Sequence, residues 1–218
     1  MHSLGEENNL KQKFIPAARF NLLTPLFDAF CSLVGLGKGY RKKILEVMNI
    51  PQQKLYVMDA GCGSGSLAID VKKAFPDISL CAIDADPQIL RIAENKARKT
   101  NQQINFREAF LQQLPFPEKS FDVVYSSLVF HHLTSDIKEK AMKEVYRVLK
   151  NGGRFLLVDF GKPKHTLFSV FSWFTVLFEE GFDNYNGKMP ELMMNAGFSN
   201  VREKSRYRFN IVYLEGLK

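Results

Sequence analysis

The segment VMDAGCGSGSLAIDV, residues 57–71, sets Asp59 just ahead of glycines at alternating positions, Gly61, Gly63 and Gly65. Glycine lets a backbone turn sharply and come close to a ligand. A dinucleotide-binding loop, Gly-x-Gly-x-x-Gly, would carry its third glycine at position 66; that position is Ser66. The run Asp59-Ala60-Gly61-Cys62-Gly63-Ser64-Gly65 therefore suits a ligand with an amino-acid head group and a single adenosine better than a dinucleotide. Asp84 closes the next apolar run, SLCAID, and a carboxylate there can accept both hydroxyls of a ribose. Ser126 and Ser127 end a later run, FDVVYSS, and His131 and His132 follow it as candidate general bases, because an unperturbed imidazole titrates close to working pH. The competing reading is that one of the two histidines caps a loop or fills a packing gap. Cys62 reads as a small residue tolerated beside glycines, and Cys31 and Cys81 as buried apolar residues. No metal is expected, since the cysteines have no metal-ligand spacing and the histidine pair has no third ligand nearby.

These residues need a scaffold of strands ending on one rim. KLYVMD (54–59), SLCAID (79–84), INFREA (104–109), FDVVYSS (121–127) and RFLLVDF (154–160) are short apolar runs, as strands buried on both faces should be. Helical patterns separate them. SLAIDVKKAF stops at Pro76; Asp86 and Pro87 supply a cap and a first-turn residue for QILRIAENKARKTN. SDIKEKAMKEVYRVLKNGG is amphipathic through Ile137, Ala141, Val145, Val148 and Leu149, with Gly152 expected as its C-cap. The alternation predicts an α/β fold built on a doubly wound, mostly parallel sheet. In the tail, KMPELMMNAGF predicts a short helix and NVREKSRYRFNIVYLEGL an antiparallel pair of strands at a sheet edge. Residues 1–50 are expected to form a frayed tail and a helical cap, ARFNLLTPLFDAFCSLV followed by YRKKILEVMNI; residues 51–218 are the ligand-binding domain, interrupted by a helical insert at 161–190.

With 218 residues, 45% of them hydrophobic, the chain can bury a full core without disulfides or metal. The formal charge of +7 is spread over short basic runs interleaved with acids, so it reads as solvated faces rather than a nucleic-acid surface. No stretch has the composition of a signal peptide or the length of a membrane-spanning helix, and the expectation is a cytoplasmic protein with reduced thiols.

Taken in order, VMDAGCGSG, CAIDADPQIL, LPFPEKSFDVVYSSLVFHHL and EVYRVLKNGGRFLLVDF resemble the successive motifs of class I S-adenosylmethionine-dependent methyltransferases, above all the group containing the ubiquinone/menaquinone-biosynthesis enzymes. The resemblance spans roughly residues 20–215. It implies a Rossmann-like seven-stranded sheet with an antiparallel edge strand, S-adenosylmethionine as cofactor and S-adenosylhomocysteine as product. It also implies roles: Asp59 to Gly65, including Ala60 and Cys62, on the methionine part; Asp84 on the ribose; Ala85 and Asp86 beneath the adenosine; Ser126 and Ser127 facing the methyl group. One feature departs from the pattern. Where most of the family has Gly-Asp-Ala ahead of Leu-Pro-Phe-Pro, this chain has Ala109-Phe110-Leu111. The adenine-binding Asp is missing, and Phe110 is expected to cover the ring while backbone groups make the polar contacts, with Leu111 beside it among the cofactor-binding residues.

The acceptor implied is a small, hydrophobic or aromatic molecule. The aromatic insert HTLFSVFSWFTVLFEEGFDNY supplies the pocket candidates Phe171, Trp173 and Phe174, with Ser127 beside them; core packing and a homodimer contact are the alternative uses of that surface. Methylation of RNA or protein, and a catalytically silent binding protein, are the rival functions.

Overall fold

The computed structural model describes residues 36–163 and 181–218. The first expected cap helix and most of the aromatic insert, with Phe171, Trp173, Phe174 and the homodimer contact assigned to it, lie outside the described residues.

Strand β1 (Tyr56–Ala60) is buried from Val57 onward, and consecutive buried positions mean that both faces are covered. It lies third in a seven-stranded sheet of order β3-β2-β1-β4-β5-β7-β6, made with β2 (Ser79–Asp84), β3 (Asn105–Glu108), β4 (Phe121–Ser127), β5 (Leu149–Phe160), β6 (Ser199–Tyr207) and β7 (Ile211–Leu217). The first five strands are parallel, and β7 runs antiparallel to both β5 and β6. The tail forms the expected antiparallel pair, with β7 slotted inward against β5 and β6 left as the edge.

Alternate residues of a strand face opposite sides, and the core divides accordingly. Met58, Ala60, Ile83, Val124, Phe155 and Leu157 meet α4 (Ser135–Val148) and α6 (Met189–Asn195) on one face. Val57, Leu80, Ala82, Val123, Tyr125 and Val158 meet α1 (Lys38–Met48), α2 (Ser66–Ala74) and α3 (Pro87–Lys99) on the other. Each fully buried aliphatic or aromatic side chain contributes about 1.5–3 kcal/mol, so the two layers together fix the sheet between them. The remaining helix, α5 (Phe182–Tyr185), is a single turn.

Local signals explain most boundaries. Asp86 caps α3, its carboxylate accepting from Gln88 N–H at 2.8 Å, with Pro87 in the first turn. Gly152 does not cap α4. The helix ends at Val148, and Leu149 is already extended and paired with Phe121. Gly152, at φ +76, instead belongs to an irregular stretch of β5, where the register against β4 shifts before Arg154 and Gly152 N–H donates to Lys218 O. The strand order reverses between β1 and β4, and such a switch point opens a crevice at the carboxyl ends of the strands. No described helix is long and apolar enough to cross a membrane.

Candidate active site

The glycine loop leaves β1 directly into that crevice. Gly61 N–H and Cys62 N–H both donate to Ile83 O, at 2.9 and 2.8 Å, which binds the turn to the end of β2. Gly61, Gly63 and Gly65 all have left-handed backbones, at φ +86, +51 and +75. Their surroundings differ. A Cβ on Gly61 would lie 2.5 Å from Val129 Cγ2, and one on Gly65 2.7 Å from Ala93 Cβ; on Gly63 the nearest atom would be Ile89 Cδ1 at 3.8 Å. The outer glycines thus let neighbouring elements pack against the loop, while at the middle one a methyl would make only ordinary van der Waals contact.

Asp84 braces the loop at Gly63. Its Oδ2 accepts from Gly63 N–H at 2.8 Å and its Oδ1 from Asp86 N–H at 3.0 Å. Burial raises its carboxyl above the ordinary value, against the lowering effect of the Asp86, Gly63 and Ala85 backbone groups. A carboxylate offers about four acceptor positions, so lone pairs remain for the hydroxyls of a ribose. Ala109 N–H donates to Asp84 O at 3.0 Å, bringing the turn after β3 alongside. Phe110 is partly exposed there, whereas the Leu111 side chain is buried in the core on the α4 face. Of these two residues named for the cofactor, only Phe110 keeps its side chain at the surface.

Beneath the loop lie Tyr125, which sequence reasoning missed, and several residues that it named. Asp59 is buried and accepts a hydrogen bond from Tyr125 Oη–H at 3.0 Å. Burial, with the neighbouring Asp84 charge adding to it, pushes the Asp59 carboxyl up to about 8 despite the Tyr125 bond. Cys62 is buried and its thiol pushed well up by the same burial, so it is unreactive and fits its expected role as a small loop residue. Ser126 is fully buried, and its hydroxyl donates to Ala60 O at 2.6 Å. It supports the loop from below and does not face the crevice as expected; it shares with Val124 the α4 face of the sheet. Ser127, one residue on, reaches the rim, its Oγ 2.8 Å from Tyr40 Oη of α1.

The histidine pair sits on a 3-10 turn after β4, Phe130–His132, and its members are not equivalent. His131 is buried; its Nδ1 lies 2.7 Å from Asp159 Oδ1, and its backbone N–H donates to Asp159 Oδ2 at 3.3 Å. The carboxylate fixes the tautomer with the proton on Nδ1. Burial raises Asp159, but His131, the Phe160 N–H and His132 outweigh it and hold the carboxyl below the usual range. His132 is partly exposed and stacks on His131 with ring centroids 3.9 Å apart. Burial first, then the neighbouring His131, push His132 down to about 3. At neutral pH it is an uncharged hydrogen-bonding group and a weak base. Asp159 carries a signal that the sequence does offer: like Asp84, it is an acid at the carboxyl end of an otherwise apolar strand. Among the described residues no cluster of three or more His, Cys, Asp or Glu side chains could hold a metal ion.

Residues 57–153 match a family described as a methyltransferase domain. A ubiquinone/menaquinone biosynthesis C-methyltransferase of Rickettsia bellii is 32% identical over 169 residues, covering 75% of this chain and 67% of that protein. A demethylmenaquinone methyltransferase of Thermus thermophilus is 30% identical over 152 residues, covering 69% and 68%. In the solved structures, a SAM-dependent methyltransferase from Aquifex aeolicus shares the fold with a TM-score of 0.64 at 18% identity, over 81% of this chain and 88% of that one. The order of motifs, the fold and the relatives agree: the chain belongs to the S-adenosylmethionine-dependent methyltransferases, in the family that includes the ubiquinone/menaquinone C-methyltransferases.

Proposed function

We propose that this enzyme methylates a small, hydrophobic aromatic molecule that enters at the rim formed by Ser127, His132 and the end of β5. The observation that carries the cofactor half of this reading is the glycine loop tied at Gly63 to the Asp84 carboxylate, with room for a methyl at Gly63 that the other two glycines lack. A loop with glycine at every other position beside a recessed acid fits S-adenosylmethionine. The backbone of Gly61 to Gly65 and Asp59 would hold the amino-acid part, Asp84 the ribose, and Phe110 the adenine, in place of the missing Asp. When bound, the cofactor supplies a methyl carbon already activated by its sulfonium. What is left to the protein is alignment and exclusion of water.

The residues divide that work. Asp59 and Asp84 place two carboxyl groups under a ligand that carries positive charge, and Tyr125 holds Asp59 in position. His132, uncharged at working pH, can accept a hydrogen bond from an acceptor hydroxyl and orient it without adding a second positive charge. Asp159 and His131 hold the turn that presents His132. His131 and His132 are thus assigned orienting roles, with strong proton abstraction left out. The aromatic nature of the acceptor is supported by the names of the Rickettsia and Thermus relatives, which refer to ubiquinone, menaquinone and demethylmenaquinone.

Calorimetric titration tests the first half: S-adenosylhomocysteine should bind and raise the melting temperature, and NAD should do neither. No binding at millimolar S-adenosylhomocysteine would overturn it. A mass-shift screen of aromatic hydroxy compounds with S-adenosylmethionine tests the second.

A further inference from the structure

Asn184 occupies the rim with a feature that the loop and the histidines leave unexplained. It is fully buried in α5, and its Nδ2 donates to Phe160 O at 3.2 Å. That bond settles the orientation of the amide, since a flip would set Oδ1 against the carbonyl oxygen. The Oδ1 so placed is buried without a hydrogen-bond partner. One other buried side-chain atom among the described residues shares this condition, Tyr213 Oη, which belongs to the core on the α1 face. Folded proteins pair nearly all such atoms, and an unpaired one calls for a specific partner.

The position of Asn184 indicates where that partner comes from. Phe160, its hydrogen-bond acceptor, ends β5 next to Asp159 and sets its ring edge-on against His131 at 4.8 Å. Helix α5 packs on the 3-10 turn that carries both histidines and on β5. This is the carboxyl rim of the sheet, where ligands of open α/β folds lie. A second set of contacts holds α5. Its Asp183, also buried, accepts a hydrogen bond from Ser135 Oγ–H at the start of α4 and lies 3.7 Å from the fully buried Lys138 Nζ and 3.3 Å from Lys188 Nζ. Asp183 thus anchors the turn that carries Asn184.

We propose that Asn184 is a specificity-determining residue of the acceptor site: its Oδ1 accepts a hydrogen bond from an O–H on the aromatic acceptor, so that ring hydroxyls are selected over ethers of the same shape. A buried acceptor atom left unpaired by the wrong ligand is a strong discriminator, because the ligand's donor is then missing where water cannot replace it. This inference rests on the methyl-transfer reading above.

The test uses naphthol and its methyl ether as matched probes, titrated into the full chain saturated with S-adenosylhomocysteine. The native protein should prefer naphthol by at least roughly tenfold, and Asn184→Leu should bring the two probes to within about twofold of each other. Binding of S-adenosylhomocysteine should be unchanged in the variant. Asn184→Ala, less apolar and smaller, should lose the preference in the same way and serves where the leucine variant does not fold. Equal binding of the two probes by the native protein, naphthol binding too weak to measure, or an intact preference in a folded variant each overturns the proposal, the last meaning that the amide oxygen is met by water. Failure of the native protein to bind S-adenosylhomocysteine overturns the methyl-transfer reading itself and this proposal with it; intact cofactor binding without discrimination overturns this proposal alone.

Discussion

Asp84 Oδ2 accepts a hydrogen bond from Gly63 N–H at 2.8 Å, so one carboxylate ties the middle of the glycine loop to the exit of β2. The same group is the one assigned to the ribose, and its removal should act twice. Asp84→Ala deletes the loop brace and the acceptor of two ribose hydroxyls. Hydrogen bonds to a charged acceptor contribute about 1.5–3 kcal/mol each before water compensates, so affinity for S-adenosylhomocysteine should fall at least roughly tenfold, at about 1.4 kcal/mol per decade. Calorimetry on Asp84→Ala decides the matter, and unchanged affinity would place the ribose elsewhere.

The cofactor's affinity should depend on pH through Asp59. In the free protein its carboxyl is pushed up to about 8, chiefly by burial. A cationic ligand above it favours the ionised form, so binding releases a proton wherever Asp59 is protonated beforehand. Affinity for S-adenosylmethionine should therefore rise from pH 6 toward 8 and level off above, with a slope of up to about tenfold per pH unit. Asp59→Asn keeps an acceptor for Tyr125 and removes the titration. If the two proteins show the same pH dependence, Asp59 does not sense the cofactor.

Stability without ligand should show two opposed slopes. His132 falls from 6.5 to about 3 on folding, so the unfolded chain binds the extra proton and stability drops as pH falls below 6.5. Asp59 rises from 3.8 to about 8, so the folded chain binds the extra proton and stability drops as pH climbs from 3.8 toward 8. Asp84 tilts the same way as Asp59. Within the overlap, roughly pH 4 to 6.5, the effects offset each other. Relative to the native chain, Asp59→Asn should lose melting temperature more steeply on acidification through this window. His132→Gln should lose it more steeply on alkalisation. Parallel curves for all three proteins would mean that neither group changes its proton affinity on folding.

The parts of this fold legible in the sequence are those set by neighbours along the chain. Apolar runs ending in Asp59 and Asp84 marked strands and their carboxyl ends, and the Asp86–Pro87 pair marked the start of α3. What stayed hidden depends on residues far apart. Tyr125 looks like any buried strand residue until β4 sets it beside Asp59, 66 positions away. Lys138 sits beside Ile137 and reads as a solvated helix residue, yet it is fully buried because Asp183 comes to meet it. His131 is drawn inward by Asp159 for the same reason. Gly152 misled in the opposite direction. A glycine after an amphipathic helix satisfies the local rule for a cap, but β4 takes Leu149 into the sheet first.

The glycine loop offers a test that separates packing from binding. All three glycines have left-handed backbones, and an L-residue in that region costs about 1–2 kcal/mol. At Gly65 the added methyl would also meet Ala93 Cβ at 2.7 Å, and forcing a methyl into packed surroundings costs about 1–3 kcal/mol more. At Gly63 nothing stands closer than Ile89 Cδ1 at 3.8 Å, so only the backbone strain applies. Denaturant unfolding should therefore rank Gly65→Ala as the more destabilised variant. Ala93→Gly in the Gly65→Ala background should recover the contact part of the loss and leave the strain. Calorimetry with S-adenosylhomocysteine should reverse the ranking per unit of stability lost, because the methyl of Gly63→Ala projects into the space assigned to the ligand. If Gly63→Ala binds as tightly as the native chain, the space at Gly63 is not where the cofactor lies.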